Sequence, residues 1–154
     1  MFRLMVKPRE HVEKFFTEAD KEAVVKAVQG AEHDCAVEFR VAVAHSRQKN
    51  IMRLASSIYN RLGMGKTKNE PGLLVLLLPA RREFVLWGNE RVSQALSQEH
   101  WCAARDAAIP LLIENKRAEA VRGVLAMLSS ELAGAFPPAE HDVDELPDSP
   151  IEIP

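Results

Sequence analysis

The sequence has few cysteines and no long apolar run, and residues 1–8 lack the apolar core and small-residue cleavage site expected of a secretory signal. Only two of its 154 residues are cysteines, Cys35 and Cys102, and both lie in apolar surroundings. We predict that both are buried free thiols, because two isolated cysteines make neither a disulfide framework nor a strong zinc site. The longest apolar stretch, residues 73–79, is far shorter than the roughly 20 residues of a membrane span. A cytoplasmic protein without direct membrane insertion is therefore expected.

The motifs of common catalytic and nucleotide sites are also missing. None of the five histidines has a partner at metal-ligand spacing, and no serine has the context of a nucleophile elbow. The run from Gly63 to Thr67 resembles part of a phosphate loop, but Asn60 replaces the first glycine, and a helix precedes the run instead of following it. Six basic residues and no acidic ones occur between Arg47 and Lys68. Without interleaved aromatics, and with a formal net charge of -2, they do not indicate nucleic-acid binding.

The charge is unevenly distributed along the chain. Every charged residue after Pro138 is acidic, and the same segment is rich in proline, which excludes a helix there. We therefore divide the chain into an α/β domain, residues 1–137, and an acidic proline-rich tail, residues 138–154. The tail is expected to be extended. Whether it packs on the body, stays loose or docks to a partner is left open by the sequence.

Hydrophobic periodicity predicts the order α-β-α-β-β-α-α. Thr17 and Asp20 have the spacing of a capping box in front of a helix over residues 18–32. Alternation predicts a strand over residues 36–44, and a stripe of apolar residues at helical spacing predicts a second helix that ends at Gly63. Two further strands are predicted over residues 73–78 and 83–87. Helical segments follow over residues 92–96, around Trp101 with a kink or division at Pro110, and over 121–132.

This order predicts an α/β three-layer sandwich. The first two strands are joined through a helix and should be parallel, with a right-handed crossover. The second and third strands are joined by a tight turn and should form an antiparallel hairpin. The result is a small mixed β-sheet, a parallel pair plus a hairpin, flanked by helices on both faces.

The reversed direction of the third strand brings three loops to one edge of the sheet. Its carboxyl end should lie beside the amino ends of the other two strands. Six polar side chains then meet there and are the candidate metal ligands: Glu32, Asp34, Asn69, Glu70, Asn89 and Glu90. If the domain has a polar site, this loop edge is where we expect it. Trp87 ends the third strand nearby, and it is typical of a core or rim aromatic, with contact to a partner as the alternative.

Residues spread over nearly the whole chain resemble the TPM domain family, in its short single-domain bacterial branch. The segments that carry the resemblance are Phe15-Phe16-Thr17-Glu18-Ala19, Ala27 with Glu32, Val37-Glu38-Phe39-Arg40-Val41, Leu62-Gly63-Met64 with Thr67, Gly72-Leu73-Leu74, Arg81-Arg82-Glu83-Phe84, Trp87-Gly88, Trp101, Phe136-Pro137 and Glu145-Leu146-Pro147-Asp148. The family's fold agrees with the predicted sandwich. The resemblance implies several roles, because relatives include acid phosphatases, calcium-binding domains and accessory factors in photosystem repair or receptor modulation.

Three positions depart from the family pattern. Pro71 stands where relatives usually have asparagine, Asn89 where they often have aspartate, and Ala80 where some have an acidic residue. Calcium prefers six to eight oxygen ligands, and these changes remove a side-chain oxygen and a negative charge from the loop edge. The favoured hypothesis is therefore a non-enzymatic accessory or interaction domain with a protein partner, of which a membrane-anchored relative is one candidate. The alternative is a phosphatase-like hydrolase that binds calcium at the loop edge.

Overall fold

A single mixed sheet of five strands forms the centre of the protein. The computed structural model describes residues 2–3, 15–64, 70–138 and 149–153. The strands are β1 (Phe2–Arg3), β2 (Glu38–Ala44), β3 (Gly72–Leu78), β4 (Glu83–Gly88) and β5 (Ile151–Ile153), in the spatial order β1-β4-β3-β2-β5. β2 and β3 are parallel, and β3 and β4 are antiparallel, which confirms the predicted pair and hairpin.

Helices cover both faces of this sheet, as predicted for a three-layer sandwich. The helices are α1 (Glu18–Asp34), α2 (Ile51–Arg61), α3 (Glu90–Ala95), α4 (Gln98–Ile113) and α5 (Arg117–Leu132), with a short 3-10 turn at Pro79–Arg81. The capping box predicted in front of α1 is confirmed: the Thr17 hydroxyl accepts from the backbone N–H of Asp20, and the Asp20 carboxylate accepts from that of Thr17, both at 3.0 Å. No helix within the described ranges combines the length and apolarity needed to cross a membrane.

Alternation along the strands divides the apolar core into two halves. Phe39, Val41 and Val43 of β2 face the layer of α1, α4 and α5 and pack with residues such as Leu125. The intervening Ala42 and Ala44, together with Leu74 and Leu76 of β3, face α2 on the other side. Every residue of β3 is buried, since this central strand has helices on both of its faces.

Two details differ from the sequence predictions. α4 runs without division through Pro110 and ends at Ile113, even though proline has no N–H to donate to the carbonyl one turn earlier. Cys35 is buried, but Cys102 is only half-buried, and both are free thiols.

The end of the acidic tail contributes a strand that the sequence did not predict. β5 pairs in parallel with the outer edge of β2, with Ile151 opposite Ala42 and Ile153 opposite Ala44. The Ile153 carbonyl accepts a hydrogen bond from the backbone N–H of His45 at 3.2 Å, and the Ile153 side chain is buried against the α2 half of the core. The tail therefore packs on the body at its described end.

Candidate functional site

The predicted convergence of loops at one edge of the sheet is confirmed. Gly72 at the start of β3 lies opposite Glu38 at the start of β2, and Gly88 at the end of β4 lies opposite Leu73. The backbone N–H of Asn89 donates to the Gly72 carbonyl at 3.1 Å. Strand register therefore brings the segments around Glu38, Glu70 and Asn89 to the same edge.

Two of the candidate ligands next to β4 make local contacts. The Asn89 side chain caps α3, because its Oδ1 accepts from the N–H of Val92 at 3.2 Å while its Nδ2 donates to the Glu70 carbonyl at 2.6 Å. The exposed Glu90 carboxylate accepts from the Gln94 amide at 3.4 Å along α3. The Glu70 side chain is exposed at the same edge, and Asn69 lies outside the described residues.

The two candidate ligands at the end of α1, Glu32 and Asp34, have different surroundings. The Glu32 carboxylate accepts from the backbone N–H of Phe39 at 3.3 Å and so fastens α1 to the beginning of β2. Asp34 is exposed, lies 3.6 Å from His33 and borders a shallow groove between α1 and α5. No group of three or more His, Cys, Asp or Glu side chains suited to a metal ion occurs in the described part of the chain. A calcium site here stays a prediction, and calorimetric titration of the full chain with calcium is its direct test.

Tyr59 is a residue of this edge that the sequence reasoning missed. It lies on α2 beside the predicted apolar stripe, only 3% exposed, and its ring packs on Trp87 with 4.6 Å between ring centroids. Burial, reinforced by the charges of Glu38 and Glu70, raises the pKa of Tyr59 to about 12. The side-chain amide of Asn89 donates toward the Tyr59 hydroxyl and lowers its pKa, which partly offsets the rise. This contact does not have the geometry of a normal hydrogen bond. Tyr59 is therefore a neutral, protonated side chain beside the charges of Glu38 and Glu70.

Tyr59 is the only tyrosine, so tyrosinate absorbance should report this one side chain during an alkaline titration. The expected midpoint is near pH 12 rather than the ordinary 10. Because the folded protein holds this proton more tightly than the unfolded chain, the corresponding stability is complete below pH 10 and is lost as the pH rises toward 12. A midpoint near 10 in a chain that circular dichroism shows to be folded would contradict the buried environment.

A groove runs along the outer edge of β4, and we call it the edge groove. It has a volume of about 370 Å³ and is lined by Ile51 and Met52 of α2, residues 84–88 of β4, Ser93 of α3, and Gln98, Trp101, Cys102 and Arg105 of α4. Its walls come from helices on both faces of the sheet. The groove therefore wraps around the rim of β4 rather than lying on one face.

The backbone of β4 is open toward this groove. β1 pairs only with Glu83 and Phe84, so residues 85–88 have no outer pairing partner within the described residues. On the other side the same residues are held by β3, with Leu73 paired to Gly88 and Leu76 to Val85. The groove thus combines backbone N–H and C=O groups that no described strand pairs with side chains on either side.

Apolar surface is exposed along the edge groove. Met52 is 55% exposed and is the most exposed of the large apolar side chains in the described ranges. Both tryptophans of the chain, Trp87 and Trp101, line the groove and are half-buried. Trp101 rests against Gly88, where an added Cβ would lie 3.2 Å from its ring. The sequence indicated Trp87 as a rim aromatic, but it could not show that Met52 lies across from Trp101.

Comparison with known proteins agrees with this architecture. The profile of the TPM domain matches residues 11–131, which is most of the chain. The chain belongs to the TPM domain family. This result confirms the resemblance drawn from the sequence, and no curated protein matches this TPM domain significantly.

Solved structures show the same fold in distant bacterial proteins. The TPM domain is similar to the BA42 protein of the psychrophilic bacterium Bizionia argentinensis, with a TM-score of 0.81 and 24% identity over 91% of this chain and 97% of that one. It is also similar to the N-terminal domain of a P. gingivalis protein, with a TM-score of 0.66 and 20% identity over 84% of each chain. A third similar structure, the N-terminal domain of cg2496 from Corynebacterium glutamicum, has a TM-score of 0.59 and 15% identity over 94% of this chain and 98% of that one. At these identities the likeness establishes the fold alone.

Proposed function

We propose that this TPM domain is a non-enzymatic accessory domain that binds a partner protein in the edge groove. The observation that carries the proposal is the backbone of residues 85–88, which lies between two side-chain walls and pairs with no outer strand of the described ranges. An exposed strand edge is a template for pairing with another chain, and proteins normally blunt such an edge with charge, proline or a covering element. Here Met52 and the two tryptophans stand beside it, and Arg105 is the single charged residue of the lining.

Burial of these side chains gives the groove a source of binding energy. Covering the exposed part of Met52 contributes roughly 1 kcal/mol, about half of what a fully buried methionine provides. Tryptophan is enriched among residues that dominate binding energy, since it combines a large apolar area with little side-chain entropy. Partial exposure of Trp87 and Trp101 leaves such area available at the groove walls. A membrane-anchored relative is one class of partner consistent with this proposal.

The alternative, a phosphatase-like hydrolase that binds calcium at the loop edge, has less support. Among its candidate ligands, one carboxylate oxygen of Glu32 and the amide oxygen of Asn89 already accept hydrogen bonds from backbone N–H groups. A calcium ion would have to compete with these contacts. The edge groove needs no such rearrangement.

Met52→Glu should weaken binding to peptides selected on the full chain from a random display library. We expect affinity to fall by at least about tenfold, since a charge would replace an apolar contact, and each 1.4 kcal/mol is tenfold. Met127→Glu is the matched control, because Met127 is also exposed, at 37%, but lies outside the groove. Isothermal titration of both variants with the selected peptides measures the difference. Equal binding by the parent and Met52→Glu would rule out the edge groove as the contact surface.

A further inference from the structure

The opposite edge of the sheet already carries an added strand whose side chains follow a simple rule. Ile151 and Ile153 of β5 both pack on the α2 half of the core. Glu152 between them faces the other way and lies 3.5 Å from Lys21 of α1. An apolar-acidic-apolar segment thus fits an edge that offers an apolar wall on the α2 side and a cation on the side of the other helices.

The edge groove at β4 repeats this arrangement. Ile51 and Met52 of α2 form its wall on one side of the sheet. Arg105 of α4 is the only charged side chain among its lining residues, and it lies on the opposite side with Trp101. A strand laid along β4 would direct successive side chains alternately to the two walls, because side chains alternate across a sheet.

We propose that the edge groove binds an extended segment of a partner protein in which two apolar residues flank an acidic one, added as a strand beside β4. The apolar residues contact Ile51 and Met52, and the acidic residue faces Arg105. This inference rests on the function proposed above and specifies the sequence pattern of the partner. Recognition by strand addition uses main-chain hydrogen bonds for affinity and pockets for alternate side chains for specificity.

The guanidinium of Arg105 has enough N–H donors to bind an acidic residue of the partner in addition to Asp106. Its Nε and Nη2 each lie 3.0 Å from the same carboxylate oxygen of Asp106, its neighbour on α4. Arginine carries five N–H donors, so a second carboxylate can be bound beside the first. Asp106 is 63% exposed, and its pair with Arg105 is open to exchange with an incoming acid.

Four positions of β4 set the length of the segment. Residues 85–88 have no outer partner among the residues that the structure describes, and in a strand alternate residues direct both N–H and C=O to the same side. About two of these residues therefore offer up to about four hydrogen bonds to an added strand. A segment of about five residues is long enough to use them and to place one acidic residue between two apolar ones.

The test uses a synthetic hexapeptide, Ser-Pro-Ile-Glu-Ile-Pro, which has the sequence of residues 149–154. Both tryptophans line the groove, so their fluorescence reports its occupation in the full-length protein. We expect saturable binding of this peptide. We expect binding at least about tenfold weaker for Ser-Pro-Ile-Lys-Ile-Pro, in which like charges meet, and for Ser-Pro-Glu-Ile-Ile-Pro, in which the alternation is broken.

Exchanging the charge of Arg105 and the charge of the peptide tests the proposed sequence pattern separately from the proposed binding of a partner in the edge groove. The variant Arg105→Glu should prefer the lysine peptide over the glutamate peptide, while Met52→Glu should bind neither. If the three peptides bind alike, or if Arg105→Glu leaves the preference unchanged, the partner pattern is wrong, even where display-selected peptides still require Met52. Concentration-dependent self-association that Met52→Glu abolishes would show a second copy in the groove and would overturn the assignment to a different protein.

Discussion

Replacing Gly72 by alanine should lower the free energy of unfolding by about 1–3 kcal/mol, the usual cost of overpacking a core. A Cβ at this position would lie 2.3 Å from the Tyr59 hydroxyl oxygen and 3.0 Å from two ring carbons. The ring has little room to yield, because Tyr59 is buried and stacks on Trp87. The expected consequence is a shift of α2 away from the start of β3, measurable by chemical denaturation.

A control and a rescue variant make this expectation specific. Gly30→Ala in α1 should raise stability by up to about 1 kcal/mol, since an added Cβ there meets nothing within 4 Å and alanine favours the helix. Tyr59→Phe removes the closest atom, so the double variant with Gly72→Ala should recover part of the loss. If Gly72→Ala were as stable as the parent, the close approach of Tyr59 to β3 would be incorrect.

The fold was predictable because each element has its own local signal. The alternation over residues 36–44, the capping box at Thr17 and the apolar stripe of α2 each specify one element without reference to the rest. Pairing then follows from the lengths of the connections, as a helix between β2 and β3 requires a parallel crossover and a tight turn requires a hairpin. Pro110 left a kink or a division open, and the sequence could not show that α4 continues past it to Ile113.

The sequence predicted the location of the candidate site but not the contacts of its residues. Strand direction was sufficient to bring Glu70 and Asn89 to one edge, but it could not show that Asn89 caps α3. Tyr59 was missed because a single tyrosine beside an apolar stripe has the same pattern as a core residue. The edge groove depends on the relative positions of α2, β4 and α4, and no local pattern in the sequence encodes that arrangement.

The strand β5 could not be predicted for a related reason. Three residues, Ile151–Ile153, are too few for a periodic signal, and prolines precede and follow them. Their place in the sheet depends on the open edge of β2, which exists only after the body has folded. The same physical circumstance, an edge that needs a partner, accounts for β5 on one side and for the proposed binding at β4 on the other.

Deleting residues 150–154 should lower the free energy of unfolding by roughly 2 kcal/mol, about what burial of one isoleucine contributes. The deletion removes the buried Ile153 and leaves Ala42 and Ala44 of β2 without an outer partner. An unpaired edge of this kind promotes association between chains, so aggregation on heating should also increase. Chemical denaturation and light scattering measure the two effects.

The variant Glu152→Gln serves as the matched control for this deletion. It retains β5 and both isoleucines but removes the charge that faces Lys21, and partly exposed ion pairs contribute little to stability. We therefore expect Glu152→Gln to unfold close to the parent while the deletion does not. Equal stability of the deleted and full-length chains would mean that β5 does not hold the β2 edge. The pattern used to infer the partner of the β4 groove would then lose its basis, whereas a clear loss would show that a three-residue apolar-acidic-apolar strand stabilises an edge of this sheet.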